Sequence, residues 1–194
     1  MHKRIIHHTK GGVSRSLLKV SFAASLLSTL IFILCSNKLG LANMCGISGQ
    51  WLYVVAHVLG GFGFGILLWP IVNRREPDTG RKDIVLLSAV IAIVVYHLAA
   101  AVAYAMSFDY RLYLVILILW WLKTALAFFI AFEFIVCRRS DYTWAGISMI
   151  IAYVAGCPYS LPDTFGILQW IIAKMATVVL AILLYRCAKR YTYN

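Results

Sequence analysis

Acidic residues are few in this chain. Only 7 of 194 positions are Asp or Glu, and all charged residues together make up 13%. Soluble domains carry about a quarter charged residues and about half apolar ones; here 62% are hydrophobic. A soluble fold of this length exposes too large a share of its surface to hide that much apolar area. The composition therefore excludes an ordinary soluble domain. Proline is restricted to 4 positions, which leaves long stretches free to form uninterrupted helix. None of the five cysteines forms a CxxC pair, and no histidine stands at zinc-finger spacing, so a structural zinc site is not expected. A P-loop, a GxGxxG after a strand and an HExxH are all missing, so no nucleotide-binding or zinc-protease motif points to an enzyme.

What is present is a series of long apolar runs. A helix needs about 20 apolar residues to cross the hydrocarbon core. Residues 17–35, 51–72, 84–106, 112–136 and 164–185 meet that length, and 142–161 forms a shorter sixth run. The expected fold is all-α, a single polytopic transmembrane helix bundle of six spans with both termini in the cytoplasm. The stretch from Asn73 to Gly80, with Pro77 and Gly80, reads as a turn.

Orientation follows from the basic residues. The formal charge is +11, with 18 Lys and Arg. In the six-span arrangement the inner segments hold Lys3, Arg4, Lys10, Arg15, Lys19, Arg74, Arg75, Arg81, Lys82, Arg138, Arg139, Arg186, Lys189 and Arg190, which is 14 of the 18. The outer loops hold Lys38 and Arg111. That asymmetry is the positive-inside pattern, and it explains the basic balance without nucleic acid as a partner. It also requires residues 142–161 to cross, because otherwise Arg186, Lys189 and Arg190 fall outside. A bacterial inner membrane is the expected location. A second reading takes residues 1–42 as a signal peptide cleaved after Ala42, which leaves five spans.

Small residues mark expected helix contacts. Gly61 and Gly65 form a GxxxG, and Ala99 with Ala103 and Ala101 with Ala105 repeat the small-xxx-small spacing. Lipid provides no hydrophobic drive between helices, so close backbone approach at small residues does that work. Cys45 and Cys157 both fall on the outer side of this topology and form a candidate disulfide.

Four ionisable residues lie inside spans: His57, His97, Lys123 and Lys174. A charged side chain at the bilayer centre costs about 2.5–3.5 kcal/mol on insertion scales, so each is a functional candidate. Both lysines fall near the midplane, and no acid lies at their depth. Glu133 is near the inner end of the fourth span and Asp163 at the outer end of the sixth. An uncharged amine, a water-filled cavity or an anion resolves the conflict, and the anion can be a lipid phosphate, a substrate or a partner subunit's acid. His57 and His97 lie at similar depth in the outer half, where two histidines on neighbouring spans could also ligate a b-type haem.

Two stretches resemble known families without carrying their chemistry. Gly46-Ile47-Ser48-Gly49 and Ala56-His57-Val58-Leu59-Gly60-Gly61 look like fragments of the rhomboid protease signature. In rhomboids the serine and histidine sit on different spans; Ser48 and His57 are nine residues apart, so the protease reading fails on placement. The series His57, Gly60-Gly61, Glu133 and Asp163-Thr164 is faintly similar to small VanZ-like families, but Glu133 and Asp163 fall at opposite faces. The expected function is a non-enzymatic subunit or accessory factor of a transport, secretion or envelope assembly. Its partners would be the bilayer, an anionic lipid and other membrane subunits. One alternative is an enzyme or carrier acting on a lipid-linked phosphate through Lys123, Lys174, His57 and His97; the other is a bis-histidine haem b electron carrier.

Overall fold

The computed structural model describes residues 13–35, 49–73, 84–106, 110–136, 140–156 and 163–191. Among these there are six α-helices and no strand: α1 Arg15–Leu34, α2 Gly49–Val72, α3 Ile84–Ala105, α4 Tyr110–Val136, α5 Ser140–Ala155 and α6 Asp163–Ala188. A short 3-10 turn, Lys189–Tyr191, follows α6. All of the helices except α5 are long and apolar enough to cross a membrane. Apolar side chains also ring their outer surfaces: Ile118 is 66% exposed, Phe132 63% and Phe165 67%. A bundle that is apolar inside and out suits a lipid surround.

Each helix packs on its chain neighbours, and α6 closes the ring on α1 while also touching α2. Side-chain pairs fix the sense of three of these contacts. Ser28 meets Ala56 while Ser25 meets Gly63, so α1 and α2 are antiparallel. Phe22 stacks on Tyr185 at 4.8 Å, and Phe32 lies against Lys174, so α1 and α6 are antiparallel too. Asp141 at the start of α5 binds Arg186 at 3.2 Å and Arg190 at 2.7 Å, and Tyr142 shares a 2.8 Å hydrogen bond with Tyr191. These contacts place the start of α1 and the end of α6 at the same end of the bundle.

The helix ends have local causes. The Ser14 hydroxyl accepts the Leu17 amide at 3.3 Å and caps α1. The run expected over 142–161 stops early, with α5 ending at Ala155 and Gly156 in a turn. Gly156 is a poor helix former, and Pro158 disfavours helical geometry in the residue before it. The run expected over 164–185 instead extends three residues past Tyr185, where the Asp141 ion pairs hold its last turn.

Helices α1 and α2 approach closely at Gly63, where an added Cβ would lie 2.7 Å from the Ser25 amide nitrogen and 2.8 Å from the Ser21 carbonyl. The α1 side of this contact is a polar stripe. The Ser21 hydroxyl donates to the Leu17 carbonyl at 2.7 Å, Ser25 to Ser21 at 2.9 Å and Thr29 to Ser25 at 2.9 Å, so each hydroxyl is satisfied within its own helix. Gly61 and Gly65 face α3 instead, at His97 and Val94. On α3, Ala101 and Ala103 are buried, Ala99 is half-buried and Ala105 is exposed.

Candidate functional site

The cavity at the centre of the ring has a volume of about 320 Å³ and takes side chains from all six helices. His57, His97, Lys123 and Lys174, scattered over 118 residues of sequence, all line it. It reaches Tyr104 and Gly156 at one end of the bundle. At its other extreme stand Leu68 and Leu184, which are 1% and 0% exposed.

Lys123 is 6% exposed and turns inward from α4. Its ammonium lies 3.7 Å from the centre of the Tyr96 ring, 5.0 Å from that of Tyr153 and 5.8 Å from that of Trp120. Three ring faces within about 6 Å stabilise a cation through their quadrupoles and leave its N–H groups free to donate. The Lys174 ammonium lies 4.8 Å from the centre of the Phe32 ring. Among the described residues neither lysine has a carboxylate within ion-pair distance. Glu133 is on the exposed side of α4, and Asp141 is bound to Arg186 and Arg190.

The histidines are in direct contact. Their Nδ1 atoms are 3.2 Å apart, a distance that holds one proton between them, so at least one ring presents Nδ1 as an acceptor. His57 is fixed by its surroundings. The Phe32 ring meets it edge-on at 4.9 Å, and Tyr104 stacks on it at 5.5 Å. Tyr104 in turn stacks on Tyr53 at 4.9 Å, and the Tyr53 hydroxyl donates to the Cys35 carbonyl at 2.9 Å. Gln50 donates to the Tyr104 carbonyl from the first turn of α2.

This arrangement does not fit a bis-histidine haem. Two axial imidazoles need the iron between them, with a metal–nitrogen bond of roughly 2 Å on each side. Here the facing nitrogens touch each other. The glycines expected to make room for a porphyrin are already covered: a Cβ on Gly60 would meet Ser28 and His97, and one on Gly61 would meet His97 at 2.9 Å. Nor do three His, Cys, Asp or Glu side chains gather at one metal-sized site among the described residues.

Several lining residues were not singled out from the sequence. Tyr96, Tyr153, Trp120 and Phe32 are ordinary span residues by composition, and only the fold turns them toward the lysines. Ser28 and Thr29 carried a faint signal, since Ser21, Ser25 and Thr29 repeat at helical spacing. Cys45 and Cys157 lie outside the described residues; Cys35 and Cys187 are buried.

The class defined by fold and cavity is a helical bundle compatible with a multi-pass membrane protein, with a basic, aromatic cavity at its centre. Comparison with known proteins adds no narrower assignment: no family model, no curated protein and no solved structure matches the chain.

Proposed function

We propose that this protein binds an anion inside the membrane, in the cavity that Lys123 and Lys174 share, and acts as a binding or carrier component rather than an enzyme. The observation that carries the reading is the pair of inward-facing lysines with no carboxylate beside them among the described residues. The rings of Tyr96, Tyr153 and Trp120 lie against Lys123 and that of Phe32 against Lys174, and an unneutralised pair of ammonium groups in one apolar bundle is costly. An anion between them removes that cost. The inward direction disfavours a partner subunit's acid as the counter-ion, because such an acid would have to enter a ring of six helices. It favours a small anion or an anionic headgroup.

The same proposal includes the topology. α5 lies antiparallel to α6 through the Asp141 and Tyr142 contacts, so a membrane crossed by the five long helices is crossed by α5 as well. With Arg15, Lys19, Arg186, Lys189 and Arg190 at the cytoplasmic end, the cavity faces the outer side at Tyr104 and Gly156. An inner membrane, and membership of a transport or envelope assembly, fit this orientation.

The test is stabilisation by anions. A ligand that binds only the folded state raises its stability with concentration, by about 2.7 kcal/mol at 100 times Kd. Phosphate or sulfate should raise the melting temperature of the purified protein at constant ionic strength, and chloride should not. Equal curves in all three salts would remove the anion site.

A further inference from the structure

Polar and apolar groups are sorted along the length of the cavity. On α6 the wall descends from Lys174 through Thr177 to Leu180 and Leu184, spaced to stay on one helix face. On α2, which runs the same way, it descends from His57 to Phe64 and Leu68. On α3, running oppositely, the order reverses with the chain: Ile93 lies low, and Tyr96, His97 and Tyr104 follow above it. Met149 and Tyr153 repeat that order on α5. Four helices of both directions thus place donors at one level and hydrocarbon at the other. The stretch from Lys174 to Leu184 is ten residues, about 15 Å at ~1.5 Å per residue.

A site for a bare inorganic anion needs only the upper level. We infer that the cavity takes a single-chain amphiphile, with a phosphate or carboxylate head between Lys123 and Lys174 and a hydrocarbon tail against Leu180, Leu184 and Leu68. This rests on the anion-binding reading above and adds the tail. The head is defined by the two ammonium groups, with the Tyr96 and Tyr153 rings beside Lys123. The tail is defined by an apolar level closed at Leu68 and Leu184, and by a volume of about 320 Å³ that is small for two acyl chains. Such a ligand comes either from the aqueous phase as a soluble alkyl anion or from the bilayer as a one-chain lipid; the shared chemistry is an anionic head on one chain.

The experiment uses the full chain in phosphatidylcholine nanodiscs. Affinities are measured for inorganic phosphate, butyl phosphate, octyl phosphate and octanol, with the signal of empty nanodiscs subtracted. Nanodiscs containing monoacyl or diacyl phosphatidic acid then serve as competitors. Burying a methylene is worth about 0.8 kcal/mol, so affinity should tighten by about fourfold per methylene from butyl to octyl phosphate. Octanol should bind far more weakly than octyl phosphate, and the monoacyl lipid should compete better than the diacyl one. Competition by monoacyl lipid at its membrane concentration identifies the bilayer as the source; its failure beside tight octyl phosphate binding identifies a soluble ligand. In Leu180→Phe and Met149→Phe the ratio of octyl to inorganic phosphate affinity should fall at least tenfold. Inorganic and octyl phosphate binding equally would overturn the tail and leave the anion site standing. Octanol binding as tightly as octyl phosphate would overturn the charged head, and diacyl lipid competing best would overturn the single-chain ligand. No binding of any phosphate would overturn the anion site itself.

Discussion

Lys123 holds its ammonium 3.7 Å from the centre of the Tyr96 ring, and this contact joins α4 to α3 at the level of the histidine pair. The ring face, not the hydroxyl, makes the contact. Tyr96→Phe should therefore keep most of the stability. Tyr96→Leu should lose stability by about 0.5–2 kcal/mol, the range for cation–π contacts from exposed to desolvated sites. Thermal denaturation in mild detergent measures both. Equal loss in the two variants would mean that the hydroxyl is what matters.

The histidine contact predicts coupling between α2 and α3. His57→Ala and His97→Ala should each destabilise the protein by about 1–3 kcal/mol, since each leaves a buried polar partner unsatisfied. The double variant should cost clearly less than the sum, because the same bond is lost once. Additive effects would show that the two rings act independently.

Gly63 and Gly65 should respond differently to the same change. Gly63→Ala puts a methyl group against the backbone of Ser25 and Ser21, which cannot move without shifting α1. It should cost about 1–3 kcal/mol, as overpacking does. Gly65→Ala meets only the tip of Val94, at 2.7 Å, and that side chain can turn away. Its effect should be smaller, measured as the shift in melting temperature. A larger loss at Gly65 would place the tight contact on α3 instead.

The six-span arrangement predicts where a reporter works. A reporter active only outside the cytoplasm should function when fused after Lys38, Arg111 and Ser160, and be silent after Gly80, Ser140 and Asn194. Activity at Asn194 would mean that α5 does not cross.

Hydropathy alone located five of the helices to within three residues at each end, because a spanning run is set by length and apolarity. The end of α5 was less legible: the expected run reaches Leu161, whereas the helix ends at Ala155 with Gly156 in a turn. The four ionisable candidates were legible because charge inside an apolar run is costly wherever the helix faces. Their convergence was not legible, since lysine on a span can equally turn outward and snorkel, and sequence depth gives no rotation about the helix axis. The caging rings were hidden for the opposite reason: Tyr96, Tyr153 and Trp120 stand among 27 aromatic residues (10 Phe, 6 Trp and 11 Tyr), and composition does not say which of them face inward. Glu133 shows the limit from the other side. It lies within α4 like Lys123, yet the helix turns it outward and away from the cavity.

The central claim is that Lys123 and Lys174 hold one anion between them. The most direct measurement is phosphate affinity in wild type, Lys123→Met, Lys174→Met and the double variant, at matched amounts of folded protein. Met retains a long apolar stem and deletes only the charge. One shared site predicts that either substitution weakens phosphate at least tenfold, and that the double variant is little worse than either single one. Unchanged affinity in both single variants would contradict the account and leave the lysines as inward-turned structural cations held by their aromatic neighbours.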